Sequence, residues 1–203
     1  MTPPSFYQAV VIGGSAGGSD ALRLILRALP ADFPLPILHV QHLHKDDHGA
    51  FAANLATVSP LPVSEPCDKA AILPGQVYIA PANYHLLVAP DFSICLSIDA
   101  AVHWSRPSID VLFDSAASTW GPRVIGVLLS GANSDGALGL LAIRRAGGLT
   151  LVQDPASAAC PAMPASALAA GAADEALDPA ELAARLRELS RLVNRNCDPG
   201  AFL

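Results

Sequence analysis

The chain has 203 residues, of which 52% are hydrophobic and only 15% charged, so a largely disordered protein is excluded and an aliphatic core is expected. Twelve Lys and Arg against eighteen Asp and Glu leave a net charge of −6, with no basic run long enough to favour nucleic acid. No apolar run approaches the roughly 18 residues that a bilayer span requires, and Met1 to Gln8 carries no positive charge, so no secretory leader is expected and the cytoplasm is the expected compartment. The four cysteines (Cys67, Cys95, Cys160, Cys197) form no CxxC pair and are expected to be buried, reduced thiols rather than a disulfide or zinc framework.

In chain order, Gln8 to Ile12 holds a β-branched run that reads as a buried strand entering a glycine-rich turn. Asp20 to Leu29 reads as a helix, with Arg23 and Arg27 on its wet face and Pro30 as its stop. Ile37 to Gln41 is the second expected strand, His48 to Val58 a helix, and Val77 to Ala80 a third strand. His85 to Val88 and Phe92 to Ile98, joined through Pro90-Asp91, read as a hairpin. Ser108 to Ser118 reads as a helix with Val111, Leu112 and Phe113 inside, and Val124 to Ser130 as an apolar strand. Gly136 to Ala146 reads as a helix closed by Gly147-Gly148, followed by a strand over Leu149 to Gln153. Asp178, Pro179 and Glu181 open a last helix whose buried stripe is Leu182, Leu186 and Leu189, and a loose tail is expected after Asn194. Alternating apolar strands and helices, with no biased linker and no repeat, predict one α/β domain over 1–203 with its core over about 8–193. Its sheet is expected to be doubly wound, Rossmann-like and mostly parallel, with helices on both faces and one β-hairpin.

Three segments could carry chemistry, each placed after a predicted strand. Gly13-Gly14-Ser15-Ala16-Gly17-Gly18 is a G-x-S-x-G turn that could present the Ser15 hydroxyl above the sheet edge, with free N–H groups of the following helix near it. It could equally be a plain turn with Ser15 as a cap, or a phosphate cradle, although both the G-x-G-x-x-G spacing and the Walker lysine are missing. His42, after the second strand, could take a proton from Ser15 or could be a solvated loop residue. His39, His42, His44 and His48, with Asp46 and Asp47, also gather metal-ligand types within ten residues, without a recognised zinc spacing. Asp135 could orient a histidine, or could simply cap the helix that follows it. Parallel strands end along one edge, where ligands bind, so Ser15, His42 and Asp135 can meet there. Their chain order differs from the Ser, Asp, His order of α/β-hydrolases.

From about Val10 to Leu189 the chain resembles the catalytic domain of the chemotaxis protein-glutamate methylesterases (CheB type). The resemblance rests on Ile12 to Gly18 (IGGSAGG), Leu29 to Phe33 (LPADF), Gln41-His42, Leu73 to Pro81 (LPGQVYIAP), His85, Arg106 to Phe113 (RPSIDVLF), Gly126 to Gly136 (GVLLSGANSDG), Gln153-Asp154 and Met163-Pro164. It implies a triad of Ser15, His42 and Asp135, no cofactor and no metal. The implied reaction is hydrolysis of γ-glutamyl methyl esters on cytoplasmic chemoreceptor helices, with glutamine deamidation as a companion activity. Ala16 and Gly17 would supply oxyanion N–H groups, and Arg106 and Ala132 would contact substrate. Such enzymes usually carry a receiver domain before the esterase. Here the first strand begins near residue 8, so the chain reads as a stand-alone catalytic domain, with a separate receiver protein as the candidate regulator. The chain departs from the usual pattern at Ala16 (usually Thr), Ala132 (usually Met), His44 (usually Pro) and Pro155 (usually acidic). Two other functions compete: a receptor-binding module of the same fold with weakened catalysis, and a metal-dependent hydrolase built on the His39–His48 cluster.

Overall fold

A computed structural model describes residues 7–194. Seven strands form one parallel sheet in the order β3-β4-β2-β1-β7-β8-β9. They are β1 (Ala9–Gly14), β2 (Ile37–Gln41), β3 (Val63–Ser64), β4 (Val77–Ile79), β7 (Val124–Leu128), β8 (Leu149–Gln153) and β9 (Glu175–Leu177). β5 (His85–Val88) and β6 (Ile94–Ser97) form a separate antiparallel hairpin. The helices are α1 (Gly18–Ala28), α2 (Ala50–Ala56), α3 (Ile109–Trp120), α4 (Ala137–Arg145), α5 (Ala162–Ala169) and α6 (Pro179–Asn194).

Side-chain alternation along β1 divides the interior in two. Val10 and Ile12 face a core completed by Leu22, Ile25 and Leu26 of α1, Leu55 of α2, and Leu182, Leu186 and Leu189 of α6. Ala9 and Val11 face the other core, completed by Leu112 and Phe113 of α3, Leu140 and Ile143 of α4, Met163 of α5, and Leu86, Val88 and Ile94 of the hairpin. Each fully buried aliphatic side chain contributes about 1.5–3 kcal/mol of transfer free energy. The doubly wound α/β architecture anticipated from the alternation is therefore the one observed.

The helix punctuation also follows from sequence. At the end of α4, Gly147 takes φ 87, its N–H donates to Arg144 O, and Gly148 N–H donates to Ile143 O, the paired bonds of a Schellman cap. At the start of α6, Asp178 Oδ1 accepts from the N–H groups of Ala180 and Glu181 while Glu181 Oε2 accepts from Asp178 N–H, a capping box.

Several expectations need correction. Strands β3 and β9 and helix α5 were not anticipated. The second helix is shorter than His48 to Val58, because His48 and Gly49 both take positive φ and helix geometry begins only at Ala50. The second hairpin strand covers only Ile94–Ser97 of the expected Phe92 to Ile98, because Phe92 takes φ 63 in the turn. Val111 is only half-buried, since α3 turns its 112/113/116 side to the sheet. Cys67 is exposed and Cys95 and Cys160 half-buried, all three free, rather than buried. The tail after Asn194 and Cys197 lie outside the described residues.

Candidate active site

The chain folds back at β1: β2 lies on one side of it and β7, from the second half of the sequence, on the other. Such a reversal opens a crevice at the carboxyl ends of the strands. Ser15 follows β1, His42 follows β2 and Asp135 lies in the segment after β7, so the three residues surround one point.

Register brings Ser15 and His42 together. Gly14 faces Gln41 across the parallel pair, so Ser15 and His42 are the next residues on adjacent strands, whose backbones run about 4.8 Å apart. His42 N–H donates to Gly14 O at 3.2 Å. The turn carrying Ser15 is pinned from three sides. Gln41 Nε2 donates to Ser15 O at 2.7 Å, Ser15 N–H donates to Ser130 O at 2.9 Å, and buried Ser130 donates its hydroxyl to Ala16 O at 2.8 Å. Gly17 takes φ 75, and a Cβ there would stand 2.6 Å from the Ala159 side chain and 2.9 Å from Ser130 Oγ. This position therefore needs glycine for both its backbone conformation and its space. Among the described residues the N–H groups of Ala16 and Gly17 donate to no backbone carbonyl, which leaves them available to an oxyanion.

Asp135 is fully buried and accepts four hydrogen bonds: from His42 Nε2 at 2.8 Å, Ser108 Oγ at 2.9 Å, Ile109 N–H at 2.8 Å and Asp110 N–H at 3.1 Å. Burial pushes the Asp135 carboxyl upward, but the bonds from His42, Ile109, Asp110 and Ser108 outweigh it and hold the group below the ordinary aspartate value. The carboxylate thus caps α3, not the helix that follows it; α4 is entered through Gly136, which has no side chain of its own to cap with. Asp110 returns the contact, accepting Gly139 N–H of α4 at 2.7 Å. Each helix of the pair is capped by a carboxylate from the other's segment, which places negative charge at two helix N-termini. A carboxylate only accepts, so Nε2 of His42 carries the proton and Nδ1 is left as the acceptor in the neutral ring. Among the described residues no hydrogen bond joins Ser15 to His42, so Nδ1 and the Ser15 hydroxyl stay free for substrate.

A further ring stands behind this one. His85, buried, donates Nε2–H to Ala100 O at 3.1 Å and accepts Ser108 N–H on Nδ1 at 3.2 Å. It ties the start of α3 to the segment over 98–107. Arg106 grips the same segment, donating to Ile98 O at 2.8 Å and Asp99 O at 2.9 Å. Arg106 and His42 both line a cleft of about 340 Å³. Ala132 is exposed.

The histidine cluster does not converge. His39 is fully buried and stacks on Phe51 of α2 at 6.0 Å, His42 is bonded to Asp135, and His44 lies in solvent 3.5 Å from Asp46. Among the described residues no three His, Cys, Asp or Glu side chains gather where they could hold a metal ion. Gln41, His85, Ser108 and Ser130 were visible only as members of matching stretches. Their types gave no sign of what they bind, because each acts through a partner more than twenty positions away.

A family model described as CheB methylesterase matches residues 10–186. The chain belongs to the CheB methylesterase family. It is 42% identical over 195 residues to a protein-glutamate methylesterase/protein-glutamine glutaminase of Bordetella pertussis, covering 94% of this chain and 55% of that one. It is 41% identical over 186 residues to the protein-glutamate methylesterase FrzG of Myxococcus xanthus, covering 92% of this chain and 56% of FrzG. It thus spans about half the length of these two relatives. A Leptospira interrogans chain provisionally given the methylesterase/glutaminase name is 46% identical over 171 residues, covering 84% and 89% of the two chains. The crystal structure of the Thermotoga maritima CheB methylesterase catalytic domain superposes with a TM-score of 0.86 at 33% identity, covering 90% of this chain and 98% of that one. Among the described residues no helix is long and apolar enough to cross a membrane.

Proposed function

We propose that this chain is a protein-glutamate methylesterase that hydrolyses γ-methyl esters of glutamate side chains on chemoreceptor-type helices and releases methanol. The 2.8 Å bond between His42 Nε2 and the buried Asp135 carboxylate, beside Ser15 on the adjoining strand, carries this reading. Ser15 Oγ attacks the ester carbonyl as His42 Nδ1 takes its proton. The oxyanion accepts from the N–H groups of Ala16 and Gly17, each such donor lowering the barrier by about 3–4 kcal/mol. Methanol departs with the proton from His42. Water then attacks the acyl-enzyme by the same route, leaving a glutamate carboxylate and free Ser15. Asp135 stabilises the imidazolium formed in both halves. A glutamine amide could enter the same path with ammonia as leaving group, which makes deamidation the companion activity.

Arg106 holds the cleft wall through the Ile98 and Asp99 carbonyls, and Ala132, exposed after β7, is offered as a further substrate contact. We assign the reaction to the cytoplasm, where receptor helices are modified. A binding-only module would not need a buried carboxylate bonded to a histidine beside a serine turn. Methanol release from a methylated receptor tests the proposal: Ser15→Ala should lower turnover by a factor of at least about 10⁴ with the fold intact, and a chelator should change nothing. Turnover persisting in that variant sinks the serine mechanism. Loss with chelator alone revives the metal reading.

A further inference from the structure

The segment between the hairpin and α3 contains a second small turn. Val102 and Ser105 bond to each other in both directions, N–H to O at 3.1 and 2.9 Å, and the two residues between them, His103 and Trp104, take φ 49 and 65. A two-residue turn with both central residues left-handed suits Asn-Gly. With a β-carbon at both positions the conformation costs about 1 kcal/mol or more per residue. It lifts the Trp104 side chain wholly into solvent, at 101% relative exposure, whereas the other tryptophan, Trp120, is 4% exposed. Strained backbone of this kind clusters at binding and catalytic sites.

Trp104 lines the same cleft as His42, together with Lys45, Asn83 and Arg106. Asn83 fixes the Lys45 backbone by donating to its carbonyl at 2.9 Å. Among the described residues neither Lys45 nor Arg106 pairs with a carboxylate, while Arg144 and Arg185 do. Two cations without a carboxylate partner among the described residues, Arg106 donating only to the Ile98 and Asp99 carbonyls, therefore line the same cleft as His42 on a chain of net charge −6.

We propose that Trp104 is the docking anchor for the polypeptide flanking the esterified glutamate, and that Lys45 and Arg106 select segments with free carboxylates near the ester. This rests on the esterase reading above and specifies its substrate. The product of each turnover is itself a glutamate carboxylate, so a segment with several such sites presents the anions these cations match. An exposed aromatic that becomes buried within a polar rim on docking is the usual form of an interface hot spot. The local cations offset the repulsion expected from the chain's overall charge.

The test uses three probes: a helical peptide with one γ-methyl glutamate flanked by glutamates, the same peptide flanked by glutamines, and N-acetyl-γ-methyl-glutamate amide, too short to reach the turn. Trp104→Ala should lower kcat/KM for the glutamate-flanked peptide at least about tenfold, through KM rather than kcat, with Trp104→Phe recovering most of it. The small ester should change less than about twofold, as for a substitution remote from its contacts. Added salt should raise KM for the glutamate-flanked peptide and leave the glutamine-flanked one unmoved. In a Ser15→Ala background, binding of a peptide with glutamine at the reacting position should shift Trp104 emission to the blue. An unchanged peptide KM in Trp104→Ala, an equal loss on the small ester, or unshifted emission at saturating peptide overturns the proposal. Failure of the unsubstituted protein on all three esters overturns the esterase reading instead, and the emission measurement still decides docking.

Discussion

Asp135 and His39 are both sealed from solvent, yet they are held in opposite ways. Asp135 receives four donors and stays ionised below the ordinary aspartate range. Among the described residues neither ring nitrogen of His39 completes a hydrogen bond of good geometry. Burial lowers its pKa to about 4, against weaker upward pulls from Gln41 and the Ile12 backbone. The contrast teaches that supply of hydrogen bonds, more than burial, decides which ionisation state a core keeps. One site keeps a buried charge. The other is a neutral aromatic disc packed under Phe51.

The largest effect should come from breaking the charged side. Asp135→Asn puts an amide NH₂ among donors, so at least one of the four bonds is lost and the His42 proton is no longer held on Nε2. Turnover should fall by about 10⁴, as for the corresponding change in serine proteases, and urea unfolding should show a loss of about 1–3 kcal/mol. A loss confined to stability would show that the carboxylate only caps α3.

Acid separates the two sites by window. In the unfolded chain His39 titrates near 6.5, and in the native protein only near 4. Its contribution is therefore complete above pH 6.5 and is lost as pH falls toward 4, a difference of about 3 kcal/mol. Asp135 acts the same way but lower: its stabilisation is present above the unfolded value of 3.8 and disappears only as pH drops through its depressed native value. Urea midpoints should thus decline between pH 7 and 4, and His39→Leu should flatten that slope. A slope unchanged in His39→Leu would show that His39 does not control it. The smallest effect belongs to Ser108→Ala, which removes one of the four donors. It should cost about 1 kcal/mol by urea unfolding and shift the acid limb of Asp135 to higher pH. A limb that stays put would mean that the backbone N–H groups alone hold the charge.

Most of the sheet was legible because β1, β2, β7 and β8 are five or six residues long and mostly apolar, as at Val124–Leu128, and because the shorter β4 lies in the apolar run Val77 to Ala80. β3 and β9 were not, since two- and three-residue edge strands such as Val63–Ser64 have no period to read. α5 was hidden by Pro164, which reads as a breaker although it falls in the first turn, where proline is tolerated. At the site, Ser15, His42 and Asp135 were recognisable from type and from position after strands. The helix that Asp135 caps was not, because a sequence shows that an aspartate precedes α4 but not that α3 begins beside it. The roles of Ser108 and His85 were out of reach for the same reason.

The crossed carboxylates of Asp110 and Asp135 have a consequence for amide exchange. First-turn amides of a helix have no intrahelical acceptor and ordinarily exchange with deuterium almost at once. Here the amides of Ile109 and Asp110 are bonded to Asp135 and that of Gly139 to Asp110. Their exchange rates therefore report the state of the buried carboxylate directly, with no substrate present.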